Sequence, residues 1–158
     1  MLKPVHVLSL SLLAAAITTV AQAADTTSFD VTLTITESCD IDTVAATDVE
    51  FGTHAYSLAA VNLTAAGSLS VNCSVGTDYE IELNNGANFS GSRRMTDGTN
   101  FVPYALNLPN TSTIWDDTNT YSDTGNGAVQ VIPVNGVVTD LNLPAGSYSD
   151  TVIAKVTF

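Results

Sequence analysis

Any chemistry in this chain would have to come from two cysteines, two histidines and a surplus of carboxylates. A nucleophilic hydrolase needs a Ser or Cys within reach of a general base. No Gly-x-Ser-x-Gly elbow occurs, and past the first few residues His54 is the lone candidate base, so His54 reads as an ordinary loop or strand residue. A glycosidase needs two carboxyl groups of different acidity facing one cleft, and Glu80, Glu82, Asp116 and Asp117 are the candidates. Glu80 and Glu82 fall on one face of a strand with no apolar pocket evident to raise either pKa, which makes them solvated surface. The oxygen-rich run Asp116-Asp117-Thr118-Asn119-Thr120-Tyr121-Ser122-Asp123 invites comparison with calcium loops. It lacks the glycine after the third ligand and the closing glutamate that such loops require. No catalytic residue, cofactor or metal site is expected. Cys39 and Cys73 have neither a CxxC spacing nor His companions, so redox and zinc chemistry are disfavoured. As an even pair in an exported chain they are expected to form a disulfide. It would close a loop of about 35 residues and disfavour the unfolded chain by roughly 3 to 4 kcal/mol on a chain-entropy model.

Export itself is read from the start of the sequence. Lys3, the apolar run Val7 to Val20 and the small-x-small triplet Ala21-Gln22-Ala23 have the form of a signal peptide, residues 1–23, cut after Ala23. The apolar run is shorter than the ~20 residues of a membrane span and no basic stop follows it. Processing would leave Arg93, Arg94 and Lys155 against 16 carboxylates, a formal net charge of −13. Nucleic acid and anionic lipid are poor partners for such a field, which also keeps an exported protein in solution.

The elements that would position these groups are strands. Short alternating or apolar runs separated by Gly, Asn, Asp and Pro predict strands near 49–53, 68–73, 79–83, 93–96, 101–106, 128–138 and 150–158. Asp97-Gly98 reads as a two-residue hairpin turn, and Pro103 as an edge position or a bulge. Seven or so strands and a disulfide in 135 residues predict an all-β, immunoglobulin-like sandwich in one domain. Trp115 reads as a packing residue. Two stretches stand out at the ends. In residues 24–38, Phe29, Val31, Leu33 and Ile35 alternate with Asp30, Thr32, Thr34 and Thr36, the pattern of a strand with one apolar face. In the closing stretch Val152, Ala154, Val156 and Phe158 share a face, and a sandwich ending there would leave an open edge guarded by Lys155 alone. The first stretch can fill a groove in its own domain or in a neighbouring copy.

The alternating segment running into Cys39, then Phe51-Gly52, Cys73-Ser74, Tyr79 to Leu83, Arg93-Arg94-Met95, Tyr104, Trp115 and Ala145-Gly146-Ser147-Tyr148-Ser149-Asp150-Thr151-Val152 together resemble the spore coat protein U domain. That family includes subunits of archaic chaperone–usher pili of the Csu type. The sequence departs from the pattern in 107–114 and in the loop 116–127. The resemblance implies an incomplete immunoglobulin-like pilin sandwich, residues 39–158, that lacks its last strand and is completed by donor-strand exchange. Phe29, Val31, Leu33 and Ile35 would be the donor residues, and Val152, Ala154, Val156 and Phe158 would flank the acceptor groove. A periplasmic chaperone, an outer-membrane usher and homologous subunits in a head-to-tail polymer are the implied partners, and the cell surface is the destination. Because donor and acceptor lie on different faces, the contact does not close and grows a filament. The segment 24–38 is too short to supply both a donor and a full first strand, so the first native strand is expected to be short or to begin near Ser38. A single domain argues against a tip adhesin. The competing readings are a complete sandwich with 29–36 as its own first strand, a secreted spore or cell-surface coat protein, and a carbohydrate-binding module.

Overall fold

The computed structural model describes residues 23–158, so the expected leader, Ala23 apart, lies outside the described residues. Residues 35–158 form one unit. Eight strands build it: β1 Cys39–Asp40, β2 Leu63–Cys73, β3 Asp78–Leu83, β4 Arg93–Thr96, β5 Phe101–Asn107, β6 Tyr121–Thr124, β7 Val129–Val138 and β8 Ala154–Thr157. Every pairing is antiparallel, in a five-stranded sheet of order β1-β2-β7-β5-β4 and a three-stranded sheet of order β6-β3-β8. The expected all-β class is therefore observed, as two facing antiparallel sheets.

Alternation explains which face each strand buries. In β3, Tyr79, Ile81 and Leu83 point inward while Asp78, Glu80 and Glu82 point outward. Across from them, Val71 and Cys73 of β2, Ile132 and Val134 of β7 and Leu106 of β5 complete one core. Trp115 is fully buried in it, and its Nε1–H donates to Ile81 O at 2.8 Å, so the indole satisfies its one polar atom without water. The spine of the large sheet is the ten-pair ladder from Leu63↔Val138 to Asn72↔Val129. Cys39 and Cys73 sit opposite each other in register and are joined by a disulfide, which fastens the two-residue β1 to the end of that spine. The short first strand is as expected.

β2 begins at Leu63, five residues before the expected start, and four further details differ from the expectation. Residues 49–53 form no strand: Val49 and Phe51 instead lie over Gly136, and the backbone at Thr47 and Asp48 lies over Gly67, where a Cβ would collide with the Thr47 carbonyl. The missing side chains of Gly67 and Gly136 let this segment fill the core by close approach rather than by pairing. Tyr121–Thr124 is a strand that the sequence pattern hid, since only Tyr121 faces the core there. The turn between β4 and β5 is Asp97–Asn100, four residues rather than two, with Gly98 at φ 99° and Asp97 Oδ1 accepting from the Thr99 and Asn100 amides. The strand predicted over 150–158 is regular only over Ala154–Thr157. Pro103 lies where β5 pairs β4 but not β7, so no ladder bond to β7 is lost.

Candidate functional site

The open feature of this unit is the outer edge of β8. One side of β8 pairs with β3, from Glu80↔Thr157 to Leu83↔Ala154, and among the described residues no strand pairs with the other side. Ala154 and Val156, with Val152 just before them, are half-buried and pack on the core from its rim. Ile153, 63% exposed, and Lys155 face outward, and Lys155 Nζ meets Glu82 Oε1 at 3.2 Å. Phe158 lies past the strand and is 56% exposed. Three of the four expected acceptor residues thus share one apolar, incompletely covered rim, whereas Phe158 is at its far end. β1, the edge of the other sheet, comes close to β8. Ile41, which follows it, is also only half-buried against the core.

A cluster at the root of β8 fixes where this edge runs. Asp150 Oδ2 accepts from the Tyr104 hydroxyl at 2.7 Å, and its Oδ1 accepts from the Ala87 amide at 3.0 Å and Asn88 Nδ2 at 2.9 Å. The Ala87 amide also donates to Thr151 O at 3.1 Å, the Asn84 amide donates to Ile153 O at 2.9 Å, and Asn84 Oδ1 accepts from the Ile153 amide at 2.9 Å. The segment before β8 therefore stays fastened to the turn after β3 even where the regular ladder has ended. Gly86, at φ 77°, makes room for the Asp150 carboxylate, which would occupy the position of a Cβ there. Burial, then the hydrogen bond to Asp150, raises the Tyr104 phenol above its ordinary pKa. Arg93, buried on β4, donates from Nε and Nη2 to Asn84 O and from Nη2 to Leu83 O, which satisfies carbonyls where β3 turns away. Burial lowers its pKa. Tyr104, Asp150 and Arg93-Arg94 were visible in the sequence as motifs. Their convergence on one edge was not.

Of the four expected donor residues, Phe29, Val31 and Leu33 lie in a separate unit that ends at Thr34, and Ile35 opens the sandwich unit. Phe29, Val31, Leu33 and Ile35 are 84%, 87%, 84% and 84% exposed, and residues 23–38 contain no regular strand. The other candidates resolve into surface and turn chemistry. His54 Nε2–H donates to Phe51 O at 2.6 Å. Asp116 Oδ1 accepts from the Thr118 and Asn119 amides, which lowers its pKa, the Asn119 bond first. Glu80 and Glu82 lie outward on β3, and among the described residues no three His, Cys, Asp or Glu side chains converge on a metal site.

Two facing antiparallel sheets, a disulfide-pinned stub of a first strand and an incompletely covered apolar rim along β8 define a class of β-sandwich with an open apolar edge. The family model for the Spore Coat Protein U domain matches residues 25–155, and the chain belongs to that family. No curated protein matches it. Eleven solved chains do. Among them is a chain of the pre-assembly complex between the chaperone CsuC and the tip adhesion subunit CsuE of archaic chaperone–usher Csu pili from Acinetobacter baumannii, with 29% identity and a TM-score of 0.61. The likeness covers 79% of this chain and 40% of that one, so the present chain spans well under half of its length.

Proposed function

We propose that this chain is a structural subunit of a chaperone–usher pilus, exported through the periplasm by its 1–23 leader and polymerised by donor-strand exchange. One observation carries the reading: β8 has one side that no strand pairs with among the described residues, and Val152, Ala154 and Val156 form an incompletely covered apolar rim along it. The complementary feature is the alternation of Phe29, Val31, Leu33 and Ile35 in the segment before Cys39. The likeness to a chaperone-bound pilus subunit supports the same assignment.

In this account a neighbouring copy lays Phe29, Val31, Leu33 and Ile35 along β8, with main-chain bonds to its free edge and the four side chains against the rim. Eight residues in a strand span about 26 Å. Burying the four side chains contributes roughly 6 to 12 kcal/mol before ordering costs. Before assembly, a periplasmic chaperone covers the same edge, and the usher is where the exchange takes place. The chain has no catalytic role in this scheme. The filament supports adhesion and biofilm formation. The family's description also leaves room for a secreted coat protein built on the same domain, and genes for a chaperone and an usher beside this one would separate the two.

The test is Leu33→Asp, introduced into cells that assemble the chain. The expected result is loss of the detergent-resistant ladder of oligomers while the subunit still accumulates with its chaperone. A wild-type ladder from the Leu33→Asp chain would refute the assignment of the donor.

A further inference from the structure

Acidic residues are distributed unevenly between the two sheets. The three-stranded sheet carries Asp78, Glu80 and Glu82 on β3 and Asp123 on β6. By contrast, β2, β4, β5 and β7 of the large sheet contain no Asp or Glu at all, although the chain has 16. Their core-facing halves explain only part of this, because the other half of each strand faces outward. On that outer face Val131 is 66% exposed, Val129 41% and Phe101 39%, beside the exposed Pro133 and Ala66. The neighbouring positions on β2 with the same orientation are the half-buried Ser68 and Asn72 and the buried Ser70, all uncharged. Arg94 is the one cation on this face, its guanidinium over the Phe101 ring at 4.2 Å, and the one carboxylate in the sheet is Asp40 of the two-residue β1, opposite Asn72 at the sheet's edge.

We infer that the outer face of the five-stranded sheet is a lateral contact between copies of this chain. The charge pattern selects the occupant. Two molecules of net charge −13, once the leader is removed, repel each other over most of their surfaces, and this face, with Asp40 only at its β1 edge, lets them approach with no carboxylate opposed across β2, β7, β5 and β4. A differently charged partner would gain nothing from a neutral face, whereas a second copy gains most from it. The exposed valines, the proline and the phenylalanine supply apolar area at the sheet-on-sheet distance of about 10 Å. The inference deepens the pilus reading and rests on it for its setting. Subunits already joined in a filament meet at high effective concentration, so a contact that associates free monomers only weakly suffices to set how the filament packs.

Four forms of the full chain, as its cells assemble it, test this: wild type, Val131→Glu, Ala66→Glu and Ser122→Glu. The first two substitutions put a carboxylate on the face, on adjacent strands and at exposed positions, and the third puts one on the outer face of the small sheet. The detergent-resistant ladder reports the junction, while electron microscopy and sedimentation of the purified polymer report sideways packing. The expected result is an unchanged ladder in all four. Sideways association should be weakened about tenfold or more in Val131→Glu and Ala66→Glu, because each substitution appears on both sides of the contact, and Ser122→Glu should keep wild-type packing. Wild-type packing in both face variants would overturn the inference. No ladder in the wild type would count against the pilus reading alone. Sedimentation of that chain would then decide the face: self-association lost in Val131→Glu supports it, and a strictly monomeric wild type overturns it.

Discussion

Replacing Asp150 by alanine removes the acceptor for three donors that hold the root of β8, namely the Tyr104 hydroxyl, the Ala87 amide and Asn88 Nδ2. The Ala87 amide lies in an exposed turn and can turn to water, so its bond contributes at the low end of about 0.5 to 1.5 kcal/mol. The Tyr104 hydroxyl is partly buried and bonds an ionised partner, so its bond contributes about 1.5 to 3 kcal/mol. The expected loss for Asp150→Ala is therefore about 3 kcal/mol. Denaturant unfolding of the purified chain measures it, with Trp115, the one tryptophan and fully buried, as the fluorescent reporter. Hydrogen exchange should quicken at Ile153 and Ala87, whose amides are held by the same cluster. Tyr104→Phe tests the pairing directly: the losses of the two single variants should exceed what the double variant shows, by about 1 kcal/mol or more. A loss below about 0.5 kcal/mol, or strictly additive losses, would refute the claim that this cluster fixes the edge.

Two further outcomes follow from the same structure. Gly67→Ala should cost about 3 kcal/mol, because the new methyl meets the backbone at Thr47 and Asp48, which cannot move without breaking the Thr47↔Ser68 bridge; thermal unfolding checks this. Acid should weaken the fold below pH 4. Hydrogen bonds from Asn100 and Thr99 hold Asp97 down at about 2, and similar turn bonds lower Asp40 and Asp116 from 3.8. A depressed folded-state pKa means that the stabilisation is present above the unfolded value near 3.8 and is lost as pH falls towards 2. Asp97→Asn should flatten that slope in a pH series of unfolding midpoints.

How much of this was legible beforehand depended on whether a residue acts through alternation or through proximity. Tyr79, Ile81 and Leu83 announce β3 because each inward position is large and each outward one is charged or polar. Tyr121–Thr124 has one inward anchor and three polar residues, so an edge strand passes for a loop. Val49 and Phe51 misled in the opposite direction, since their spacing is that of a strand but their role is to cover glycines on β2 and β7. The alternation of Phe29 to Ile35 was plain, yet period alone cannot say whose groove it fills. The Asp150 cluster joins residues 46 and 63 positions apart, a separation that no local pattern encodes.

The disulfide has a mechanical consequence. Tension applied along residues 24–38 arrives first at Cys39, in a strand of two residues that would peel away under modest load. The covalent link passes that pull directly to Cys73, at the end of the ten-pair ladder between β2 and β7, where many bonds are loaded together in shear. Rupture then requires the longest ladder of the molecule to slide, and reduction of one bond would turn a tether into a zipper.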